Sequence, residues 1–222
     1  LPVLQHADFS VAWEEQKIAP QNWNATWEAS FDPVEVDQRC RVRASFHAPS
    51  PSHAIEIVID PKMAFGTGHH QTTWLMMHEM LDMDWNGTTV LDMGSGTAVL
   101  AILASLRGAE EVLAIDNDAW AVDNARENLQ TNDIQNVQVL QGEADTLGDR
   151  VFNRILANIN KNVILADIGT YARCLETGGQ LVCSGFFAED VPDITRAAEG
   201  AGLIVEGEQH RQQWALVRFH KP

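Results

Sequence analysis

The chain has 222 residues, of which 45% are hydrophobic and 21% are charged, a balance typical of a globular protein with one α/β domain and a small additional region. Its 31 acidic and 15 basic residues give a formal charge of −16, which disfavours a protein that follows a nucleic-acid backbone and favours a basic partner. No apolar run reaches membrane-spanning length, and three cysteines without C-x-x-C spacing exclude a zinc knuckle, so we expect a cytoplasmic protein with no membrane association.

The first recognisable element is a short helix that begins near Asn22. Trp23, Trp27 and Phe31 recur at every fourth position and form one aromatic stripe, and the helix ends at Asp32-Pro33. The stripe packs against the main domain or, alternatively, forms a docking surface for a partner.

Two strands follow, and the domain boundary is expected between them. Residues 40–46 and 54–59 have strand character and are separated by the turn sequence Pro-Ser-Pro-Ser. We expect residues 1–52 to form a short N-terminal region with the linker helix, and residues 53–222 to form a second domain. Three arginines at alternate positions, Arg39, Arg41 and Arg43, are expected on one solvated face of the first strand.

The next informative stretch reads AFGTGHHQTT, from Ala64 to Thr73, and leads into a helix. Gly66 and Gly68 predict a loop, and Thr72 or Thr73 is suited to cap the helix. The histidine pair at 69–70, with His78, raises the possibility of a metal site. Because the H-x-x-x-H spacing and a nearby acidic cluster are both missing, we expect no metal.

Residues Val90 to Asn117 predict a buried strand, a glycine turn, a helix and a second strand that ends in Asp116. A carboxylate at that point can accept hydrogen bonds from both hydroxyls of a ribose. The turn has the form D-x-G-x-G, with Asp92, Gly94 and Gly96, and has Val99 where a dinucleotide fingerprint requires a third glycine. This spacing suits a ligand without phosphate, although a dehydrogenase or a simple nucleotide-binding fold stays open at this point.

The remaining elements continue the alternation of helices and strands. Helices are predicted at 118–129, 163–175 and 189–201, strands at 137–140, 152–159 and 180–184, and a closing hairpin at 203–208 and 214–219. Asn117-Asp118 is expected to cap the first of these helices, and Gly178-Gly179 to terminate the second. Glu143 and Ala144 follow one strand, where an adenine ring would be recognised, and Asn158 ends another.

Several of these sequences match a known family. The turn resembles motif one of the class I S-adenosylmethionine-dependent methyltransferases. Residues 64–73 resemble the AFGTGxHxTT loop of ribosomal-protein methyltransferases of the PrmA type, residues 121–128 are similar to the family's AVxxAxxN, and Asn158 matches its ANI motif. The resemblance implies an α/β, Rossmann-like class I methyltransferase fold, with a mostly parallel seven-stranded sheet, a reversed final strand and helices on both faces.

The resemblance also implies an activity, a cofactor and a substrate. The chain would transfer methyl groups from S-adenosylmethionine to amino groups, on lysine side chains, the N-terminus or both, of the basic large-subunit ribosomal protein eleven. Asn158 and Thr67 would orient the amine as catalytic residues. The expected cofactor-binding residues are Phe65, Gly66, Thr67, Gly68, Thr72, Asp92, Gly94, Gly96, Asp116, Asn117, Glu143, Ala144 and Asn158.

Three alternatives to this functional hypothesis stay open. The family's recognition domain normally precedes the linker helix, and few residues precede Asn22 here, so a methyltransferase that acts on a small molecule or a different protein is possible. A nicotinamide-dependent oxidoreductase would lack its third glycine. A non-catalytic interaction module would keep the fold and bind neither cofactor.

Overall fold

A computed structural model describes residues 32–60 and 70–222 of the chain, and within them residues Pro33–Pro222 form one compact unit. The helix predicted after Asn22 and the loop at 61–69 lie outside the described residues. The strands are β1 (Val34–Val36), β2 (Cys40–Arg43), β3 (Ile55–Val58), β4 (Thr89–Met93), β5 (Glu111–Asp116), β6 (Val137–Gln141), β7 (Phe152–Asn158), β8 (Leu175–Phe187), β9 (Ile204–Arg211) and β10 (Trp214–His220). The helices are α1 (Gln71–Met80), α2 (Val99–Leu106), α3 (Ala119–Thr131), α4 (Lys161–Cys174) and α5 (Val191–Gly200).

The main sheet has seven strands in the order β6-β5-β4-β7-β8-β10-β9. Its pairs from β6 to β8 are parallel, whereas β10 is antiparallel to both of its neighbours. The predicted fold, a mostly parallel seven-stranded sheet with a reversed final strand, is therefore confirmed. The strand order reverses between β4 and β7, and ligands of open α/β sheets bind at such a switch point, beyond the carboxyl ends of the strands.

Each face of this sheet is covered by helices. Val90 and Val112 lie in one buried cluster with α1, α2 and α3, while the next residues, Leu91 and Leu113, lie in a second cluster with α4 and α5. Because side chains alternate between the two faces and both faces are buried, the central strands are almost continuously apolar. No helix in the described ranges is long and apolar enough to cross a lipid bilayer.

A second, three-stranded sheet is formed by β1, β2 and β3. The boundary predicted between residues 52 and 53 falls between β2 and β3, which pair in parallel, whereas the compact unit begins at Pro33. The division into a recognition region and a catalytic domain stays a prediction. Arg41 and Arg43 on β2 share Glu56 on β3 as their ion-pair partner, so one carboxylate offsets part of their charge. Their side chains are only 14% and 11% exposed, so the solvated face expected for them is wrong.

The start of α1 and the end of α4 are fixed by other residues than the sequence predicts. His70, and neither of the two threonines, caps α1, since its side chain accepts a hydrogen bond from the Thr72 amide. Helix α4 ends at Cys174, before Gly178 and Gly179, because Leu175 already pairs with Phe152 of β7 and begins β8. Pairing with the neighbouring strand therefore ends the helix, and the two glycines lie inside β8.

Ile159, which follows β7, fills the space between two glycines from different parts of the sheet. A Cβ atom on Gly94 would lie 2.1 Å from the Cγ2 of Ile159, and one on Gly185 would lie 2.2 Å from its carbonyl oxygen. Gly185 also has a φ of +100°, which side-chain-bearing residues rarely adopt. Both glycines are thus required by the close passage of the chain at Ile159.

We expect Gly185→Ala to lower the free energy of unfolding by at least about 2 kcal/mol, because its methyl group would overlap the Ile159 backbone and the φ would be strained. Urea denaturation measures this. Gly169→Ala is the matched control: Gly169 lies inside α4 with nothing within 4 Å of an added Cβ, so the change should stabilise the helix by about 0.5–1 kcal/mol. Equal stability of Gly185→Ala and the wild type would contradict the predicted clash.

Candidate functional site

A cavity of about 1030 Å³ lies at the switch point between β4 and β7. Met93 pairs with Ala157, so Gly94 and Asn158, the next residues, are neighbours at the carboxyl edge of the sheet. Of the residues predicted for the site, those that line this cavity are Thr72, Gly94, Gly96, Asp116, Asn117, Glu143, Ala144 and Asn158. The structure therefore brings most of the described candidate residues together.

The glycine turn forms the wall of the cavity after β4. The amides of Gly94 and Ser95 both donate to the Ile115 carbonyl, at 2.8 and 3.0 Å, and the Gly96 amide donates to Asp116 at 2.8 Å. These backbone amides, which a phosphate group would otherwise use, are already paired within the protein. The turn thus suits a ligand without phosphate, in agreement with its sequence.

Asp116 lines the cavity at the end of β5 and is fixed by two backbone amides. Its Oδ2 accepts from Gly96, and its Oδ1 accepts from Asp118 at 3.0 Å. Because each carboxylate oxygen can accept a second hydrogen bond, the group can still receive two donors from a ligand. This matches the expected recognition of the two ribose hydroxyls.

Asp92 lies behind the cavity and does not line it. Its carboxyl is 1% exposed, and its Oδ2 accepts a 3.0 Å hydrogen bond from the Ala101 amide in the first turn of α2. Burial, with a smaller effect of the neighbouring Asp116, raises the pKa of Asp92 to about 7. The direct structural role of Asp92 is therefore to hold the start of α2, and its predicted contact with a cofactor stays a prediction.

One end of the cavity combines apolar and acidic side chains. Ile115, Val163 and Ala166 line it together with Glu143 and Asp167. The side-chain amide of Asn117 donates a 3.2 Å hydrogen bond to the carboxylate of Glu143. Burial is the largest cause of the raised pKa of Asp167. Apolar surface beside hydrogen-bond acceptors fits a flat heteroaromatic ring with an exocyclic amine, the chemistry of adenine.

The other end contains Asn158, which lies at the end of β7. Its Nδ2 donates to the hydroxyl of Thr73 at 3.3 Å, and Thr73 is fully buried on α1. Its Oδ1 is buried and has no hydrogen-bond partner among the described residues. A buried acceptor without a partner is costly, so this oxygen is suited to receive a donor from a bound molecule.

Two aromatic side chains at this end were not predicted as site residues. His70 and Trp214 line the cavity with their rings 4.6 Å apart in an edge-to-face arrangement, and Phe187 packs on Trp214 at 4.3 Å. Trp214 follows the turn of the closing hairpin, so only tertiary structure brings it here. Burial lowers the pKa of His70, which favours its neutral form.

The sequence predicts no metal site at the histidine pair 69–70 and His78. His70 Nδ1 contacts Thr72, and His78 contacts Asp37 at 2.5 Å. Across 32–60 and 70–222, no group of three potential ligand side chains is found. The loop candidates Phe65, Gly66, Thr67 and Gly68 lie outside the described residues, as does His69, and their predicted roles stay predictions.

Comparison with known proteins gives consistent matches over most of the chain. The family model described as ribosomal protein L11 methyltransferase (PrmA) matches residues 3–222. A protein named ribosomal protein L11 methyltransferase from Porphyromonas gingivalis is 48% identical over 211 residues, 93% of this chain and 73% of the relative. One with the same name from Phocaeicola vulgatus is 42% identical over 214 residues, 96% of this chain and 76% of the relative.

A solved structure supports the same match. The crystal structure of a ribosomal protein L11 methylase from Lactobacillus delbrueckii subsp. bulgaricus superposes with a TM-score of 0.79 at 26% identity. The match covers 86% of this chain and 100% of that chain.

The buried carboxyl of Asp92 predicts a specific pH dependence of stability. Its pKa is raised in the folded state, so the folded chain binds the extra proton and stability falls as pH rises from about 4 to about 7. Asp92→Asn keeps an oxygen for the Ala101 amide but removes this titration. We therefore expect the variant to gain stability relative to the wild type across that range, on the order of a few kcal/mol, in urea denaturation.

Asp123→Asn serves as the control for this measurement. The Asp123 side chain is exposed on α3, so its replacement should change the free energy of unfolding by less than about 0.5 kcal/mol. The interpretation of Asp92 would be wrong if Asp92→Asn and the wild type lost stability in parallel as pH rises.

Proposed function

Because the chain belongs to the ribosomal protein L11 methyltransferase (PrmA) family, we propose that it transfers methyl groups from S-adenosylmethionine to amino groups of ribosomal protein L11. The amino groups are those of lysine side chains, the N-terminus or both. The observation that carries the proposal is the buried Oδ1 of Asn158 in the cavity beside the glycine turn, which has no hydrogen-bond partner within 32–60 and 70–222. The formal charge of −16 supports a basic protein as the acceptor.

The residues of the cavity fit this cofactor. Asp116 would accept hydrogen bonds from the ribose hydroxyls, and Glu143 and Ala144 would contact the adenine. The turn at Gly94 and Gly96 would leave room for the methionine portion. When bound, S-adenosylmethionine supplies an electrophilic methyl group on its sulfonium. The Asn117 and Thr72 side chains, with the loop from Phe65 to Gly68, complete the proposed cofactor site.

Asn158 would orient the acceptor amine. An amine N–H that donates to its Oδ1 satisfies a buried oxygen that otherwise costs about 1–3 kcal/mol. A neutral amide oxygen also holds an uncharged amine without the strong preference for ammonium that a carboxylate would have. Since only the uncharged amine has a lone pair for attack, this choice of side chain favours the reactive form.

No proton-abstracting role is assigned to His70. Its Nδ1 lies 3.3 Å from the Thr72 amide and accepts the hydrogen bond that caps α1. A lysine side chain has an ordinary pKa near 10.4, so it is mostly an ammonium at neutral pH and must lose a proton before it can attack. We propose that water takes this proton before the reaction. We propose that Asn158, the Thr67 loop and the aromatic pair of His70 and Trp214 position the amine and exclude water from it.

The chemistry of the cysteines supports a reducing compartment. Cys40, Cys174 and Cys183 are all unpaired and buried. Burial raises the pKa of the Cys40 thiol to about 12, so it stays protonated and unreactive. We propose the cytoplasm, where an acceptor of this class is made.

The decisive experiment is transfer of labelled methyl from S-adenosylmethionine to purified ribosomal protein L11. We expect label on the acceptor with the wild type and little with Asp116→Ala, because that change removes the proposed ribose contacts and the support of the Gly96 amide. Calorimetry with the cofactor alone should show at least a tenfold loss of affinity, about 1.4 kcal/mol. Cofactor binding without labelling of L11 would direct the search to another protein or a small molecule.

We expect Asn158→Ala to lower kcat about ten- to hundredfold and to change the KM for S-adenosylmethionine less than threefold, because the side chain acts on the amine. Steady-state kinetics with L11 measures both constants. Thr73→Val, which removes only the hydroxyl that supports the Asn158 Nδ2, should cause a smaller loss of kcat. An unchanged kcat in Asn158→Ala would rule out the proposed role.

A further inference from the structure

Asn124 and Asn128 lie one helical turn apart on α3, and Asn132, one turn further along, is the C-cap residue of this helix. Positions four apart share one face of a helix, so their amides form a row along α3. Asn128 is 1% exposed, and its side chain makes hydrogen bonds to two separate parts of the chain. Asn128 and Asn132 contact the small sheet or its continuation, and Asn128 also contacts the glycine turn.

Asn132 holds the end of β3. Its Oδ1 accepts from the Val58 amide at 2.8 Å, and its Nδ2 donates to the Val58 carbonyl at 2.7 Å. The side-chain amide thereby pairs with the backbone of β3 as a neighbouring strand would. This contact stabilises β3 but touches no residue of the cavity.

Asn128 continues the same pattern and adds a second partner. Its Oδ1 accepts from the Asp60 amide at 3.3 Å, two residues beyond Val58, and its Nδ2 donates to the Thr97 carbonyl at 3.0 Å. Thr97 belongs to the glycine turn. One buried amide therefore joins the continuation of β3 to the turn that forms the cavity wall.

The carbonyl that Asn128 holds lies at a strained point of the backbone. Thr97 stands between Gly96, with a φ of +53°, and Ala98, with a φ of +64°. Ala98 has a side chain, and the left-handed region costs such a residue about 1–2 kcal/mol. Strained conformations persist only where the surroundings fix them, and here Asp116 holds the Gly96 amide while Asn128 holds the next carbonyl.

We propose that Asn128 is a positioning residue for the cofactor, because it locks the glycine turn into its binding conformation. The proposal rests on the proposed function, since it assumes that the turn binds S-adenosylmethionine. The side chain does not line the cavity, so it acts through the Thr97 carbonyl and the Gly96–Ala98 backbone. Its removal would weaken cofactor binding beyond what a general loss of stability would cause.

Isothermal titration of S-adenosylmethionine into the full chain tests this, with Asn132→Ala as the matched control. Asn132 lies on the same helix face and binds the same strand, but it does not contact the turn. We expect Asn128→Ala to weaken the Kd at least tenfold and Asn132→Ala to change it less than about twofold, although both lower the thermal midpoint. An equal loss in both variants, or unchanged binding in Asn128→Ala, would overturn the proposal.

The wild type separates this inference from the proposed function. A wild-type chain that does not bind S-adenosylmethionine would refute the proposed function. A wild type that binds, with an Asn128→Ala variant that binds equally well, would refute the role of Asn128 alone.

Asn128→Asp supplies a second, isosteric test. Its carboxylate can accept from the Asp60 amide but cannot donate to the Thr97 carbonyl, whereas its protonated form can do both. We expect the affinity relative to the wild type to recover as pH falls, because burial favours the protonated form of the introduced carboxyl and that form restores the donor. An Asn128→Asp variant that binds S-adenosylmethionine as tightly as the wild type at pH 8 would contradict the donor role.

Discussion

The conformation of the turn after β4 is the constraint on which the rest of the site depends. Gly94, Gly96 and Ala98 all have left-handed backbone angles within five residues. One local hydrogen bond, from the Ala98 amide to the Ser95 carbonyl, lies within the turn. Its other partners come from distant elements: the Ile115 carbonyl, the Asp116 carboxylate and the Asn128 side-chain amide. The cavity wall is thus a product of β5 and α3 as much as of the turn itself, and Asp92 fixes the helix that follows.

Local sequence predicted this central part of the fold well. The elements from β4 to α3 have strong periodicity, and the helix cap at Asp118 follows from residue type alone. The position of Asn158 at the carboxyl end of a central parallel strand is also predicted correctly, whereas its role there stays a prediction. Where the pattern is local and the residue types are distinctive, the sequence alone predicts the helix, strand or cap.

Other features of the fold and of the site depend on contacts between residues that are distant in sequence. His70 caps α1 in place of a threonine and meets Trp214, which lies 144 positions later along the chain, so no local pattern indicates the pair. The need for glycine at 185 comes from the backbone of Ile159, and α4 ends where Leu175 finds a partner in β7. The match to AVxxAxxN, which ends at Asn128, indicates a family. It does not predict the hydrogen bonds of Asn128, because their partners lie beyond β3 and in the glycine turn.

The position of β10 in the sheet has a consequence for the order in which the protein can assemble during synthesis. β10 is the last strand in sequence, yet it lies between β8 and β9, and Val217 and Phe219 are fully buried in one of the two cores. Within the described residues β9 pairs with β10 alone. As the chain emerges from the ribosome, β9 therefore has no described partner in the sheet until residues 214–220 are also released. Vectorial folding can therefore build β4 to β8 early, but that edge of the sheet closes only after β10 has left the ribosome.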